Sequence, residues 1–444
     1  MYEIRHSLRQ RFLRLARFRG MTLVEFMVAI TIGIFIALGM LLLMSRTSRS
    51  YKINDEYSRI QESGSTALRY LSDDIHMAGY FGLAGTSDTI SAFDTNPADG
   101  FLDYGEDAGI FFGTTAGPGV TLADCGAALW SFQPAVAVSG VPPSAPPGAR
   151  PNDPISGLPL SCINPKNYAG GPALILRGAL GTMVNRGANG LPTNVTAGML
   201  DGNTIYVQAD PGNGFIFRGS QFAAYKAATY SRVVPAPPPP AGVFVDAPIY
   251  QYQSNIYYVR PCSRPAGAPD AYGNPTCTGT DDLPSPNPIP TLVRQQWQST
   301  PAGPAYQEVG LAEGVEWINF IYGLDSLSAT GAVIPVGCNT AGACATPPDG
   351  VADTYMPAGC NNAGVCATPV PANPNAWSQV VTIRVNLLIR ASAPTFAYDD
   401  SVKSYDMGGG TIFNCAAVGA PCNYHRHMFS QLIEVRNIAG RRAP

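Results

Sequence analysis

Charge is scarce in this chain. Only 13% of its 444 residues are Asp, Glu, Lys or Arg, about half the ~25% of an ordinary soluble domain. Hydrophobic residues make up 45%, so the shortage does not signal wholesale disorder. Cysteine is absent before Cys125, and no C-x2-C pair occurs anywhere, which argues against finger-type zinc sites. The chain also lacks G-x-S-x-G, H-E-x-x-H, a P-loop and a dinucleotide fingerprint. Those absences remove the common hydrolase, zinc-protease and nucleotide-enzyme classes. No catalytic residue, cofactor or metal is expected. The body has no basic patch suited to tracking phosphates, so no direct nucleic-acid contact is expected either.

The few charges present are unevenly placed. Residues 1–20 hold six arginines and one glutamate, whereas the remainder holds 22 basic and 30 acidic side chains. A basic tip before an apolar run is a membrane topology signal. From Met21 to Met44 the run MTLVEFMVAITIGIFIALGMLLLM carries a single charge, Glu25. As a helix it spans roughly 36 Å, enough for a ~30 Å hydrocarbon core. A cleaved secretory signal is one reading, but its small-x-small site, Ala37-Leu38-Gly39, falls inside the apolar run. A plain anchor explains the length but not Glu25, because a charge within a membrane segment costs about 3 kcal/mol and usually marks function.

The third reading uses every feature. Gly20, then Met21-Thr22-Leu23-Val24-Glu25 opening a long apolar helix, resembles the type IV prepilin signature. The resemblance implies cleavage by prepilin peptidase between Gly20 and Met21 and N-methylation of Met21. It also implies an assembly role for Glu25, whose carboxylate would face the terminal amine of a neighbouring subunit, so that two charges costly in lipid neutralise each other. Major pilins commonly carry a proline where this chain has Leu42. Gly33 and Gly39 can soften the helix, but a proline kink is not available to it.

Helical spacing continues past the membrane. Ile53, Tyr57, Ile60, Gly64, Ala67, Leu71 and Ile75 share one face, opposite Lys52, Asp55, Glu56, Arg59, Glu62, Arg69 and Asp73. Gly79 suits a C-cap. The pattern predicts one helix from Thr22 to Ala78, on the order of 85 Å long, whose second half packs on a globular body.

Beyond residue 80 the punctuation changes to Gly, Pro, Asn and Ser. Strands are predicted at Ala173–Arg177, Thr204–Gln208, Gly214–Arg218, Gly242–Asp246, Asn255–Arg260, Val315–Tyr322, Val380–Arg390 and Met428–Val435. With no alternating βα pattern, they call for an antiparallel sheet on the C-terminal half of the helix. Proline-rich windows at 134–165 and 235–304 read as surface excursions rather than sheet; a polyproline ligand, centred on Pro237–Pro240, is the functional alternative. The ten cysteines (Cys125, Cys162, Cys262, Cys277, Cys338, Cys344, Cys360, Cys366, Cys415, Cys422) are even in number and confined to the part beyond the membrane run, as for disulfides in an oxidising compartment. Local pairing would join 125–162, 262–277, 338–344, 360–366 and 415–422, although sequence does not set connectivity.

One repeat, GCNTAGACATP at 337–347 and GCNNAGVCATP at 359–369, is too short a series for a solenoid. It reads as two small disulfide-closed excursions. Asp349 and Asp353 around Gly350 suggest a turn over a calcium loop. His425 and His427 read as strand residues rather than ligands, and His76 as a helix-end residue.

Five segments in order, DDIHMAGYFG (73–82), EGVEWINFIYGLD (313–325), DGVADTY (349–355), WSQVVTIRVNLLIRA (377–391) and HRHMFSQLIEVRNIAGRR (425–442), resemble the PilW family of minor pilins. Residues 85–310 carry little of that signal. The resemblance implies a pilin-like α+β fold with a leader at 1–20, an assembly helix at 21–79 (transmembrane at 21–44) and a β-rich domain at 80–444 with disulfide-stapled loops. It implies an inner-membrane protein with a periplasmic body that passes into the pilus. Expected partners are other minor pilins, the major pilin and prepilin peptidase, with roles in twitching, attachment or DNA uptake. A J-type pseudopilin of type II secretion and a pilus-tip adhesin are the other readings.

Overall fold

A computed structural model describes residues 22–83, 90–92, 125, 136–143, 149–153, 159–196, 198–210, 214–227, 233–235, 244–285, 287–300, 303–335, 345–357 and 374–443. The chain divides into two compact units, one ending at Tyr57 and the other beginning at Ser58. Helix α1 (Leu23–Met77) contributes to both. In the first unit its side chains are exposed from Leu23 through Ser50, and an 18-residue window reaches a mean hydropathy of 2.7 with none of it buried. By length and composition this stretch can cross a membrane. Its first turn is capped locally. Thr22 Oγ1 accepts from the Glu25 N–H at 3.2 Å, and Glu25 Oε2 accepts from the Thr22 N–H at 3.3 Å, the reciprocal pattern of a capping box.

The second unit begins with the amphipathic part of α1. Ile60, Gly64, Ala67, Leu71 and Ile75 are buried, as their spacing predicts. The helix stops at Met77, and Gly79, at φ +74°, takes the left-handed turn that ends it. The strands that follow are β1 (Ile90–Ala92), β2 (Val138–Val141), β3 (Ala173–Met183), β4 (Ile205–Ala209), β5 (Gly214–Arg218), β6 (Val233–Pro235), β7 (Phe244–Asp246), β8 (Ile249–Arg260), β9 (Thr291–Thr300) and β10 (Gly303–Glu313). After them come β11 (Val315–Leu324), β12 (Thr354–Pro357), β13 (Val380–Arg390), β14 (Tyr405–Asp406), β15 (Ile412–Phe413) and β16 (Arg426–Glu434). Short helices α2 (Phe222–Ala227), α3 (Cys415–Val418) and α4 (Arg436–Arg442) complete the described elements.

Among the described residues the strands form two main sheets. The larger has eight strands, ordered β1-β5-β4-β8-β3-β2, with β9 branching from β8 and β10 beyond it. Its pairs are antiparallel except β1 with β5. The smaller is fully antiparallel, ordered β12-β11-β13-β16. Both sheets close on α1. Ile60, Ala67, Leu71 and Ile75 share one core with Ile318, Phe320, Val385 and Leu387 of the smaller sheet and with Leu174, Leu176, Tyr257 and Leu292 of the larger. The alternate residues Ile175, Ile256, Tyr258 and Val293 enter a second core on the other face. Burial on both faces is why ALIL (173–176) and IYYV (256–259) read as unbroken apolar runs.

The proline-rich windows hold more sheet than their composition predicts. β2 lies inside 134–165, all four of its residues buried, and β8 and β9 lie inside 235–304. The reason is position. Neither β8 nor β9 contains a proline, and those between them sit in the connection 261–290. Pro304 does enter a strand, but among the described residues β10 pairs only with β9, and an edge strand tolerates a residue that donates no hydrogen bond. Residues 237–240 and most of the 337–347 and 359–369 repeat lie outside the described residues.

Candidate functional site

The segments singled out in sequence meet where α1 ends. His76 Nδ1 lies 2.8 Å from the Glu434 carbonyl, and Asn437 Nδ2 donates to the His76 and Ala78 carbonyls at 2.9 and 3.2 Å. The last turn of α1 and the residue after it are thus tied to the end of β16 and the start of α4. Earlier on the helix, Gly64 lies against the Phe429 ring, which would sit 2.5 Å from a Cβ there. Asp74 bonds Arg294 of β9 at 3.1 Å, and burial pushes its carboxyl above the usual range despite that cation.

The C-terminus closes the same region. Arg442 Nε meets Asp325 Oδ2 at 2.9 Å, and Nη2 donates to the Asp325 carbonyl at 2.9 Å. Both side chains are fully buried. Asp325 Oδ2 also accepts the Gly350 N–H at 2.8 Å. Gly350 adopts φ +77°, and a Cβ there would stand 2.7 Å from the Ala439 carbonyl, so only glycine fits. Asp353 Oδ2 then accepts from Ser326 and Leu327 at 2.9 and 2.7 Å, and Asp349 Oδ1 from Val351 at 2.9 Å. These carboxylate oxygens face N–H donors, as in turns, rather than converging on a cation.

A second knot of charge covers the outer face of the smaller sheet. Glu316 sits between Arg390 and Arg426, at 3.5 and 2.6 Å, and Arg426 also reaches Asp400 at 3.3 Å. Burial opposes ionisation of Asp400. Hydrogen bonds from Tyr405 (2.8 Å) and Tyr398 (2.9 Å), with Lys403 at 3.1 Å, outweigh it and hold the carboxyl below the usual range. His425 lies against the Tyr398 ring and His427 against Phe429, at 3.9 and 4.9 Å between centroids.

Three cysteine pairs lie at disulfide distance. They are Cys125–Cys162, Cys262–Cys277 and Cys415–Cys422, with Cα separations of 4.7, 5.9 and 5.5 Å. Cys338, Cys344, Cys360 and Cys366 lie outside the described residues, as do Gly20 and Met21. Cys262, Cys277 and Asp281 are close enough to resemble a metal trio, but the two sulfurs are bonded to each other and Asp281 accepts from Ala266, Thr278 and Gly279. Asp282 next to it accepts from Ser263, Arg264 and Ile289. For both aspartates burial works against the charge, and these N–H donors overcome it, lowering the pKa.

Acid should therefore loosen the body. A carboxyl whose folded pKa is depressed adds stability that is present above its unfolded pKa of ~3.9 and is lost as pH falls through the folded value. Asp281, Asp282 and Asp400 all have that sign. Asp74, whose pKa is raised, has the opposite sign and offsets part of the loss. Thermal melts of the full chain in detergent should therefore show a net decline below about pH 4. A melting temperature unchanged down to pH 3 would contradict these three assignments.

A helix long and apolar enough to cross a membrane, continuing into a disulfide-bearing α+β body, defines the class of protein. Residues 276–437 match the family described as Type IV Pilus-assembly protein W, PilW, and this match supports a PilW-family type IV pilus protein. The match takes in four of the five sequence segments, the last up to Asn437, and begins at residue 276, within the stretch 85–310 whose sequence carries little of that signal. No curated protein and no solved structure matches the chain.

Proposed function

We propose that this chain is a minor pilin, a structural subunit that helps to start type IV pilus assembly at the inner membrane and stays near the tip. One observation supports the reading most. A single helix begins with an unburied apolar run bearing Glu25 and ends among the packed residues of the body that carries the family match. Such a helix can be stored in a bilayer and then transferred into the apolar core of a helical bundle without refolding. In this reading the leader 1–20 is removed by prepilin peptidase, Met21 is methylated, and other minor pilins and the major pilin are the neighbours. The ties among His76, Glu434, Asn437, Asp325 and Arg442 then give the amphipathic half a rigid seat on the sheet. The protein acts by assembly, not by turnover.

Mass spectrometry of the chain from native membranes should find residues 1–20 gone and Met21 methylated. Deleting the gene should abolish surface pili and twitching while exoprotein secretion continues. Lost secretion with normal pili would assign the chain to a type II secretion pseudopilin instead.

A further inference from the structure

Just past the apolar run of α1 the chain carries a small, one-sided charge patch. Between Glu25 and Asp55 there is no acidic residue, and the cations are Arg46, Arg49 and Lys52. All three are helical and exposed. Three residues turn a helix by about 300°, so each cation stands about 60° from the last and the three share one face. The usual bias places Lys and Arg on the cytoplasmic side of a span. The six arginines of residues 1–20 already supply it at the other end of the run. Topology therefore gains nothing from Arg46, Arg49 and Lys52, and is weakened by them.

The length of the run says what surrounds them. From Leu23 to Met44 the helix spans about 33 Å against a ~30 Å hydrocarbon core, and tilting absorbs the excess. Met44 then falls at the edge of the hydrocarbon. Arg46, Arg49 and Lys52 follow it by about 3, 8 and 12 Å along the axis. The headgroup layer is about 5–8 Å deep on each side, so Arg46 and Arg49 lie within it and Lys52 at its outer rim. Tyr51, 75% exposed, stands at the level where aromatic side chains gather. The residues between the cations are Thr47, Ser48, Ser50 and Tyr51, hydroxyls without a carboxylate. Lys52 has Asp55 and Glu56 at helical spacing.

We propose that Arg46 and Arg49 hold the phosphates of phospholipid headgroups in the leaflet farther from residues 1–20. A guanidinium presents a planar fork that matches two phosphate oxygens, and its hydrogen bonds to them are charge-assisted. At helical spacing the two side chains start about 5–6 Å apart, near enough to share one headgroup or to hold two adjacent ones. Lys52 adds positive field at the rim. The pair then sets how deep the helix sits, working from its outer end. On the reading that residues 1–20 are removed, Arg46 becomes the first Lys or Arg along the chain. No such side chain at the opposite end then competes with it. Transfer of the helix into a pilus must break both contacts. The pair is a catch that keeps a processed subunit in the bilayer until it is drawn out.

The proposal rests on the membrane reading of the run, and its test is separate from any count of pili. The full chain, isotope-labelled at arginine Cζ, is reconstituted in phosphatidylcholine–phosphatidylglycerol vesicles. Dephasing of the Cζ signal by phosphorus in solid-state NMR then reports guanidinium–phosphate contact. Hydrogen bonds of about 2.8 Å place Cζ and phosphorus about 4 Å apart. The double variant Arg46→Gln with Arg49→Gln is measured alongside, and the difference isolates these two residues from the arginines of residues 1–20. Most of the difference signal should be dephased. The variant should melt at the parent's temperature, because both side chains are exposed. A difference signal that phosphorus leaves undephased would overturn the proposal. So would equal dephasing by inorganic phosphate in a phosphorus-free detergent, which would make the pair a general anion site. Processing and piliation are read by other measurements, so failure here leaves the minor-pilin reading standing.

Discussion

Arg442→Met should be the most damaging single change in the body, costing about 3–5 kcal/mol, the usual result of stripping the partner from a buried charge. Asp325 would remain fully buried, keeping the Gly350 N–H but losing both guanidinium contacts. Its second oxygen, Oδ1, already has no hydrogen-bond partner among the described residues. Methionine fills similar space, so lost packing contributes little and the stranded carboxylate dominates. A drop of roughly 5 °C in the melting temperature of the full chain is the expected scale. The double variant Asp325→Leu with Arg442→Met separates charge from shape. Removing both charges should recover most of the loss. If the double variant melts as low as the single one, the ion pair is not what holds the C-terminus.

That pair also marks the limit of what could be read from the chain. Both segments were visible as family-like, YGLD and NIAGRR, but the two residues stand 117 positions apart, and no spacing rule links such partners. The helix was the opposite case. Its period is local, and the predicted Thr22–Ala78 differs from Leu23–Met77 by one residue at each end. β5 and β13 match their predicted bounds, because alternation and flanking turn residues are local too. β9 was hidden by its neighbours' prolines and by its own polar residues. Gln295 is buried, bonding the Cys162 carbonyl and the Tyr258 hydroxyl, so a core position carries an amide where a pattern search expects an apolar side chain. The capping box is written in the sequence as Thr22-x-x-Glu25, at the same glutamate that the prepilin resemblance assigns to assembly.

Two roles therefore compete for Glu25, and one substitution separates them. As a cap, Glu25 bonds Thr22 through contacts of 3.2–3.3 Å at an exposed helix end, worth about 1 kcal/mol. As an assembly residue, its charge neutralises an amine on the next subunit, an effect worth about 3 kcal/mol where lipid surrounds both groups. Glutamine completes a capping box as well as glutamate does but carries no charge. Glu25→Gln should therefore act like Glu25→Ala. Both should be cleaved normally at Gly20–Met21, since the peptidase acts before subunits meet, and both should leave about a hundredfold fewer surface pili, the ratio that ~3 kcal/mol implies. Thr22→Ala, which removes the cap and keeps the charge, should lower piliation by less than tenfold. Counting pili by electron microscopy, with processing followed by mass spectrometry, checks all three. Wild-type piliation in Glu25→Gln would reduce the residue to a helix cap and remove the physical reason for a carboxylate in the membrane run.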